Sequence, residues 1–166
     1  MVLLAACTSE GGQAAPAKGQ ALAGGQQSNG VVGSEHAKVG QTWWFALPVP
    51  YNTSSSPIEI TNVELVDVPK GITVLDYGAY SSEDTEGVAL LVVEGDKYTP
   101  RFHKLKNHAA DGVVVPAGKE SDIYYLAKMK IIDPPKGAAR YCRFDYRQAG
   151  KEYTQTLDCE VELTTE

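Results

Sequence analysis

The stretch that most constrains this chain runs from Ala139 to Leu163, ARYCRFDYRQAGKEYTQTLDCEVEL. Two alternating runs flank Ala149-Gly150-Lys151, and each run carries one cysteine. A two-residue type II′ turn wants Gly at its first central position, which makes Gly150-Lys151 the predicted turn. Ala149 then faces Glu152 and, counting outward, Cys142 faces Cys159 at a non-hydrogen-bonded pair. There the Cα atoms approach to about 4.5 Å, inside the window a disulfide tolerates. The same register sorts the faces. Cys142, Phe144 and Tyr146 point one way with Leu157, Cys159 and Val161. Arg143 faces Asp158, while Tyr141, Asp145 and Arg147 point outward with Glu160, Thr156 and Thr154.

The chain has 166 residues, a formal net charge of −6 and a pI near 5.1, which fits one compact domain plus a tail. No apolar run reaches the length of a membrane-spanning helix. The acidic balance argues against nucleic acid as a partner, because phosphate binding is driven by Lys and Arg. Three cysteines leave one outside the hairpin pair, and in an oxidising compartment that one needs its own reason.

Leu4-Ala5-Ala6-Cys7 resembles the lipobox of bacterial lipoproteins, in which Leu, two small residues and Cys end a signal peptide. The resemblance implies that Cys7 carries the lipid and becomes the first mature residue. No basic n-region and no full apolar h-region of ~7–15 residues precede Cys7, which places the true start upstream of Met1. Residues 1–7 are thus read as a truncated signal. From Thr8 to Lys38 the composition is Gly, Ala, Gln and Ser, with Pro16, the charges Glu10, Lys18, Glu35 and Lys38, and no aromatic residue. Such a segment buries too little apolar area to offset its ordering entropy, so residues 8–38 are predicted to be a flexible linker. Its r.m.s. reach would be about 30 Å. A tether directly after a lipid-anchored cysteine suits a domain displayed outside the cytoplasm, attached to the cell membrane by its lipid alone.

The predicted domain spans 39–166. Gln41 to Leu47 (QTWWFAL) is rich in strand formers and is stopped by Pro48 and Pro50. After the turn cluster Asn52 to Pro57, Ile58-Glu59-Ile60 alternates, the phase slips at Thr61-Asn62, and Val63 and Leu65 resume. A slip in period two reads as a β-bulge or a sharp bend. Short strands follow at Ile72 to Tyr77 and Val113 to Val115. Val88 to Val93 is unbroken and apolar, as a strand buried on both faces would be. Ile123 to Ile132 places Ile123, Tyr125, Ala127, Met129 and Ile131 on one face. No segment shows sustained helical periodicity. Seven or eight short strands with turn signals every ~8–12 residues predict an all-β, antiparallel sandwich. The pattern NTSSSPIEITNVEL resembles the early strands of bacterial immunoglobulin-like domains, and the chain also looks like the small domains of actinobacterial lipoproteins that end in a Cys-containing hairpin. That likeness implies an immunoglobulin-like sandwich and brings no catalytic residues with it.

Sites are harder to read. There is no Gly-rich phosphate loop, no Cys-x-x-Cys, no His-Glu-x-x-His and no Gly-x-Ser-x-Gly. A copper site from His103, His108 and Met129 is imaginable, but blue-copper geometry needs two His and a free Cys, and the hairpin uses both domain cysteines. No metal or other cofactor is therefore expected. The loop Gly95 to Asp111 (GDKYTPRFHKLKNHAAD) carries Lys97, Arg101, Lys104 and Lys106 with no acid between Asp96 and Asp111, and Tyr98 and Phe102 add apolar area. It reads either as a long surface crossover kept soluble by its lysines or as an electropositive, aromatic-tipped surface for an envelope polymer or protein. Trp43 and Trp44 are adjacent in a strand and so point to opposite faces. At most one enters the core of a one-sided sheet; the other is covered by the tether or a loop, or stands exposed as a stacking platform. Three functions remain: a non-catalytic, lipid-anchored interaction module of the envelope; a small-ligand or copper carrier; and a hydrolase with dispersed catalytic residues. The sequence favours the first, with an envelope protein or polymer as partner and the candidate surface formed by Trp43, Trp44, Lys97, Tyr98, Arg101, Phe102, His103, Lys104, Lys106 and His108.

Overall fold

The computed structural model describes residues 14–24 and 31–166. Among them are twelve strands and two single 3-10 turns, and no α-helix. The long strands form where β-branched and aromatic residues alternate with polar ones. These are β6 (Ile58–Asp67), β7 (Ile72–Ser81), β10 (Ile123–Ile131), β11 (Ala139–Gln148) and β12 (Lys151–Thr165). Shorter ones are β4 (Thr42–Ala46), β5 (Pro50–Asn52), β8 (Leu91–Val93) and β9 (Val113–Val115). Ahead of them come β1 (Ala17–Lys18), β2 (Leu22–Gly24) and β3 (Val31–Ala37).

One sheet runs β1-β12-β11-β6-β9, with β3 also on the free edge of β12; a second runs β7-β10-β4-β8; β2 and β5 make a small ribbon. Pairing is antiparallel except for β1 and β3, which both lie parallel to β12. The two large sheets share one apolar core. Ile60, Val63, Leu65, Cys142, Phe144 and Val161 face Trp43, Phe45, Tyr125, Ala127, Met129 and Ile131. Tyr125 meets Phe144 edge-to-face across it, with ring centroids 6.3 Å apart. Each such side chain contributes about 1.5–3 kcal/mol by leaving water. The predicted slip in β6 is a register shift that leaves Thr61 without a partner on β11, its hydroxyl donating to Asp145 O.

Four expectations are corrected. First, the predicted 8–38 linker contributes β1, β2 and β3, with Ala21, Leu22 and Ala37 buried. Small and polar residues cannot build a core, but their main chain can extend an existing sheet edge, and here side chains of the domain fasten it. Ala21 N–H donates to Tyr146 Oη at 3.1 Å, and Gln155 both accepts from Leu22 N–H at 3.0 Å and donates to Leu22 O at 2.6 Å. A methyl group at Gly19 would collide with the Tyr146 hydroxyl, so only glycine lets the chain pass there. Residues 8–13 and 25–30 of that linker, and the 1–7 signal with Cys7, lie outside the described residues. Second, twelve strands replace the predicted seven or eight, because these edge segments and the short β5, β8 and β9 join the sheets.

Third, the apolar run Val88 to Val93 is not a strand buried on both faces. Only Leu91–Val93 pairs, at the edge beside β4, and Leu90 is exposed. Fourth, the hairpin turns one residue earlier than predicted. Gln148 pairs with Lys151, Arg147 with Glu152, and Tyr146 with Tyr153. Ala149 and Gly150 are the central residues, with φ of 49° and 76°, the type I′ signature rather than II′. Arg143 therefore faces Thr156, not Asp158, and forms ion pairs with Glu64 and Asp145. The gains of the observed register are Tyr146 stacked on Tyr153 at 5.5 Å and an Arg147–Glu152 pair at 3.4 Å. Cys142 sits opposite Leu157, yet the predicted disulfide to Cys159 forms with Cα atoms 5.9 Å apart. A register shift at Tyr141 draws Cys159 back beside Cys142.

Candidate functional site

The second sheet is covered on its outer face as well, and that is where the loop after β8 lies. Outward-facing Trp44, Ala46, Tyr80, Tyr124 and Leu126 form a second apolar cluster beneath Phe102 and Leu105. Trp43 and Trp44 are thus both buried, at 8% and 7% exposure, one in the main core and the other under the loop. Of the alternatives for the second tryptophan, cover by a loop is what the structure has. Phe102 lies 4.7 Å from Trp44 and 4.9 Å from Tyr80, centroid to centroid. Burial raises the Tyr80 phenol above its ordinary range, with Asp76 adding to the effect.

The loop is pinned at both ends. At its start Thr99 Oγ1 donates to Val93 O at 2.6 Å, and Asp96 Oδ1 accepts from Tyr98 N–H at 2.8 Å. At its end Asn107 Oδ1 accepts from Ala79 N–H at 2.9 Å, and His108 N–H donates to Ala79 O at 2.8 Å. Between these anchors a single 3-10 turn, Phe102–Lys104, points Phe102 down and leaves His103 and Lys104 exposed. The result is a cleft of about 650 Å³ over the middle of the sheet. Lys128 of β10 borders it, with Nζ 5.1 Å from the Trp44 ring centroid and 2.9 Å from Glu94 Oε1.

Six of the ten predicted surface residues line this cleft: Trp44, Lys97, Arg101, Phe102, His103 and Lys104. The other four do not. Trp43 faces the main core, Tyr98 stands out in solvent at 81% exposure with Lys97 4.5 Å from its ring, and Lys106 and His108 belong to the far end of the loop. Four lining residues escaped sequence reasoning: Asp76, Tyr80, Glu94 and Lys128. Lys128 had a readable signal. Along β10 the outward positions run Tyr124, Leu126, Lys128 and Lys130, and the change from apolar to basic marks where the cover ends.

These acids also change the electrostatics. Lys97, Arg101, Lys104 and Lys128 share the cleft with Asp76, Glu94 and Asp96, so the site is a mixed field with a basic rim, not a uniformly positive surface. Each acid already has a partner: Glu94 pairs with Lys128, Asp96 caps Tyr98, and Asp76 accepts from Tyr77 N–H. The imagined copper site does not assemble. His103 is on the rim and His108 is held at Ala79, opposite Tyr125, while Met129 is fully buried in the main core. Met129 lies four residues further along β10, about 13 Å at strand rise. No family model, curated protein or solved structure matches the chain, and what the cleft does has to be argued from its own chemistry.

Proposed function

We propose that this chain is a non-catalytic interaction module of the cell envelope, held to the membrane by a lipid on Cys7 and presenting the Trp44–Phe102 cleft to an envelope protein or polymer. The observation that carries the reading is the fixed loop that lays a basic rim over an aromatic floor. Buried aromatic anchors ringed by charge are what recognition surfaces use. The acids of the cleft are engaged in ion pairing and capping, which supports binding over acid–base chemistry. The Cys142–Cys159 disulfide supports an oxidising, extracytoplasmic location.

The fold is read as immunoglobulin-like on its neighbour relations. β10 lies between β4 and β7, and β11 between β6 and β12, as strand E lies between B and D, and F between C and G, in such domains. Two departures stand beside this. The first strands join β12 while β8 takes the place beside β4, and the disulfide lies within one hairpin instead of bridging the sheets.

The test is capture from an envelope extract by the soluble Cys7→Ser chain, compared with an Arg101→Glu/Lys104→Glu variant. A partner retained by the first and lost by the second is expected; the same captured set from both would remove the cleft from the account. For the anchor, fatty-acid labelling of the chain with a signal peptide restored should vanish in Cys7→Ser, and persistent label would place the lipid elsewhere. A second reading, a small-ligand carrier, is favoured by the cleft volume, which falls in the ~300–1,000 Å³ range of ligand pockets. Native mass spectrometry of the purified protein would find a retained small molecule if it holds.

A further inference from the structure

The two large sheets also meet along a side remote from the cleft's aromatic floor, where β6 and β7 are neighbours in sequence but not paired. There β9 pairs with β6 only over Ile58–Ile60, although β6 runs on to Asp67. The outer edge of β7 is closed at Ala79 by Asn107 and His108. Between these closures and the β6–β7 turn a groove of about 540 Å³ stays open, bounded by Asn62 to Val66 on one wall and Val74 to Tyr77 on the other. Its floor is the half-buried Val68 and Val74, and its lips are Val66 and Leu75, 43% and 51% exposed. The Leu65 N–H donates to Tyr77 Oη at 2.8 Å. A phenol oxygen thus stands where the carbonyl of a neighbouring strand would be. The lining holds two carboxylates, Glu64 (which also reaches Arg143) and Asp76, and no Lys, Arg or His.

We propose that this groove receives an extended, cationic peptide segment of a partner protein, which adds a strand to β6 where β9 stops. An unpaired strand edge offers main-chain donors and acceptors without regard to sequence, and the pockets beside it select alternate side chains. Here the pockets are aliphatic and the walls acidic, which selects apolar residues alternating with Lys or Arg. The same edge of a second copy would bring Glu64 and Asp76 against like charges, which disfavours self-pairing. Asn62 to Asp67 in extended form spans about 20 Å, room for some six residues. The proposal does not depend on what the cleft binds.

The experiment uses a synthetic acetylated and amidated Lys-Val-Lys-Val-Lys-Val peptide titrated into the isotope-labelled protein, followed by amide NMR. Expected are shifts at Val63 and Leu65, with slowed hydrogen exchange at Val63. The Val66→Lys/Leu75→Lys variant, changed only at exposed positions, should bind about tenfold more weakly from lost apolar contact and added repulsion. Tyr77→Phe frees the Leu65 N–H and should bind a few-fold more tightly; it keeps the test decisive if the lysine variant misfolds. The proposal is overturned by shifts confined to residues 95–106, or by no shift at all. Equal binding of a proline-interrupted or a Glu-Val peptide, or concentration-dependent dimerisation through Val63, would also overturn it.

Discussion

Ala149 holds a backbone conformation that its methyl group resists, with φ at 49° in the first central position of the hairpin turn. L-residues other than Asn, Asp and Gly lose about 1 kcal/mol there. Ala149 is exposed, so Ala149→Asn should stabilise the fold by about that amount and raise Tm by ~2–4 °C in thermal unfolding. An unchanged Tm would mean that the turn is not type I′ in solution. This residue is also why the hairpin was only half legible. Gly150 reads naturally as the first residue of a II′ turn, and nothing local says that Ala149 accepts positive φ. The tertiary terms decide it, through Tyr146 on Tyr153 and Arg147 beside Glu152. Facing residues moved by two, which preserves the alternation of side chains. The face assignments for Cys142, Phe144, Tyr146 and Val161 therefore survived a wrong turn, and with them the disulfide.

Among the elements, the strands with internal alternation were visible in the sequence, including the bulge at Thr61, and the edge strands were not. β1 and β3 carry few apolar side chains and are held by main-chain bonds to β12, so composition could not reveal them. Gly19→Ala is the sharp test of that attachment. Its Cβ meets the Tyr146 hydroxyl, and the strand should detach locally, with amide exchange at Ala21 and Leu22 rising while the β11 amides stay protected. The loop's aromatic anchor, Phe102, was legible as apolar area, but the acids that neutralise its rim come from β7 and β8 and were invisible without the topology. The disulfide closes 17 residues of hairpin, for which the chain-entropy model gives about 3 kcal/mol. The β11–β12 ladder already restrains the same ends, so reduction should lower Tm by less than that figure implies and leave the fold intact at room temperature. Unfolding on reduction alone would show that the ladder depends on the bond.

At the scale of the whole molecule, the core sets an alkaline limit. Burial pushes the Tyr125 phenol, between the two sheets, far above its ordinary value, and burial likewise raises Tyr77. Phenols whose folded pKa is raised hold their protons after the unfolded chain has released them. Their stabilisation is complete below about pH 10 and is lost as pH climbs above it. Chemical-denaturation midpoints should therefore be flat with respect to these groups up to about pH 10 and then fall, and Tyr125→Phe should fall less steeply. An equal fall in both proteins would assign the limit to other groups.

The parallel pairing of the first strands with β12 has a mechanical consequence. Thr8 to Pro16 can span no more than about 30 Å even when fully stretched, so a lipid on Cys7 would keep the domain close to its membrane. Any tension from that anchor enters the fold at Ala17, which pairs with Tyr153 near the hairpin tip. Because β1 and β3 run in the same direction as β12, a pull along their axis shears the interstrand hydrogen bonds together instead of peeling them singly. Pulled from its N-terminus in an optical trap, the chain should resist until these bonds fail as a set and then lengthen in one step, with the two-sheet core still folded.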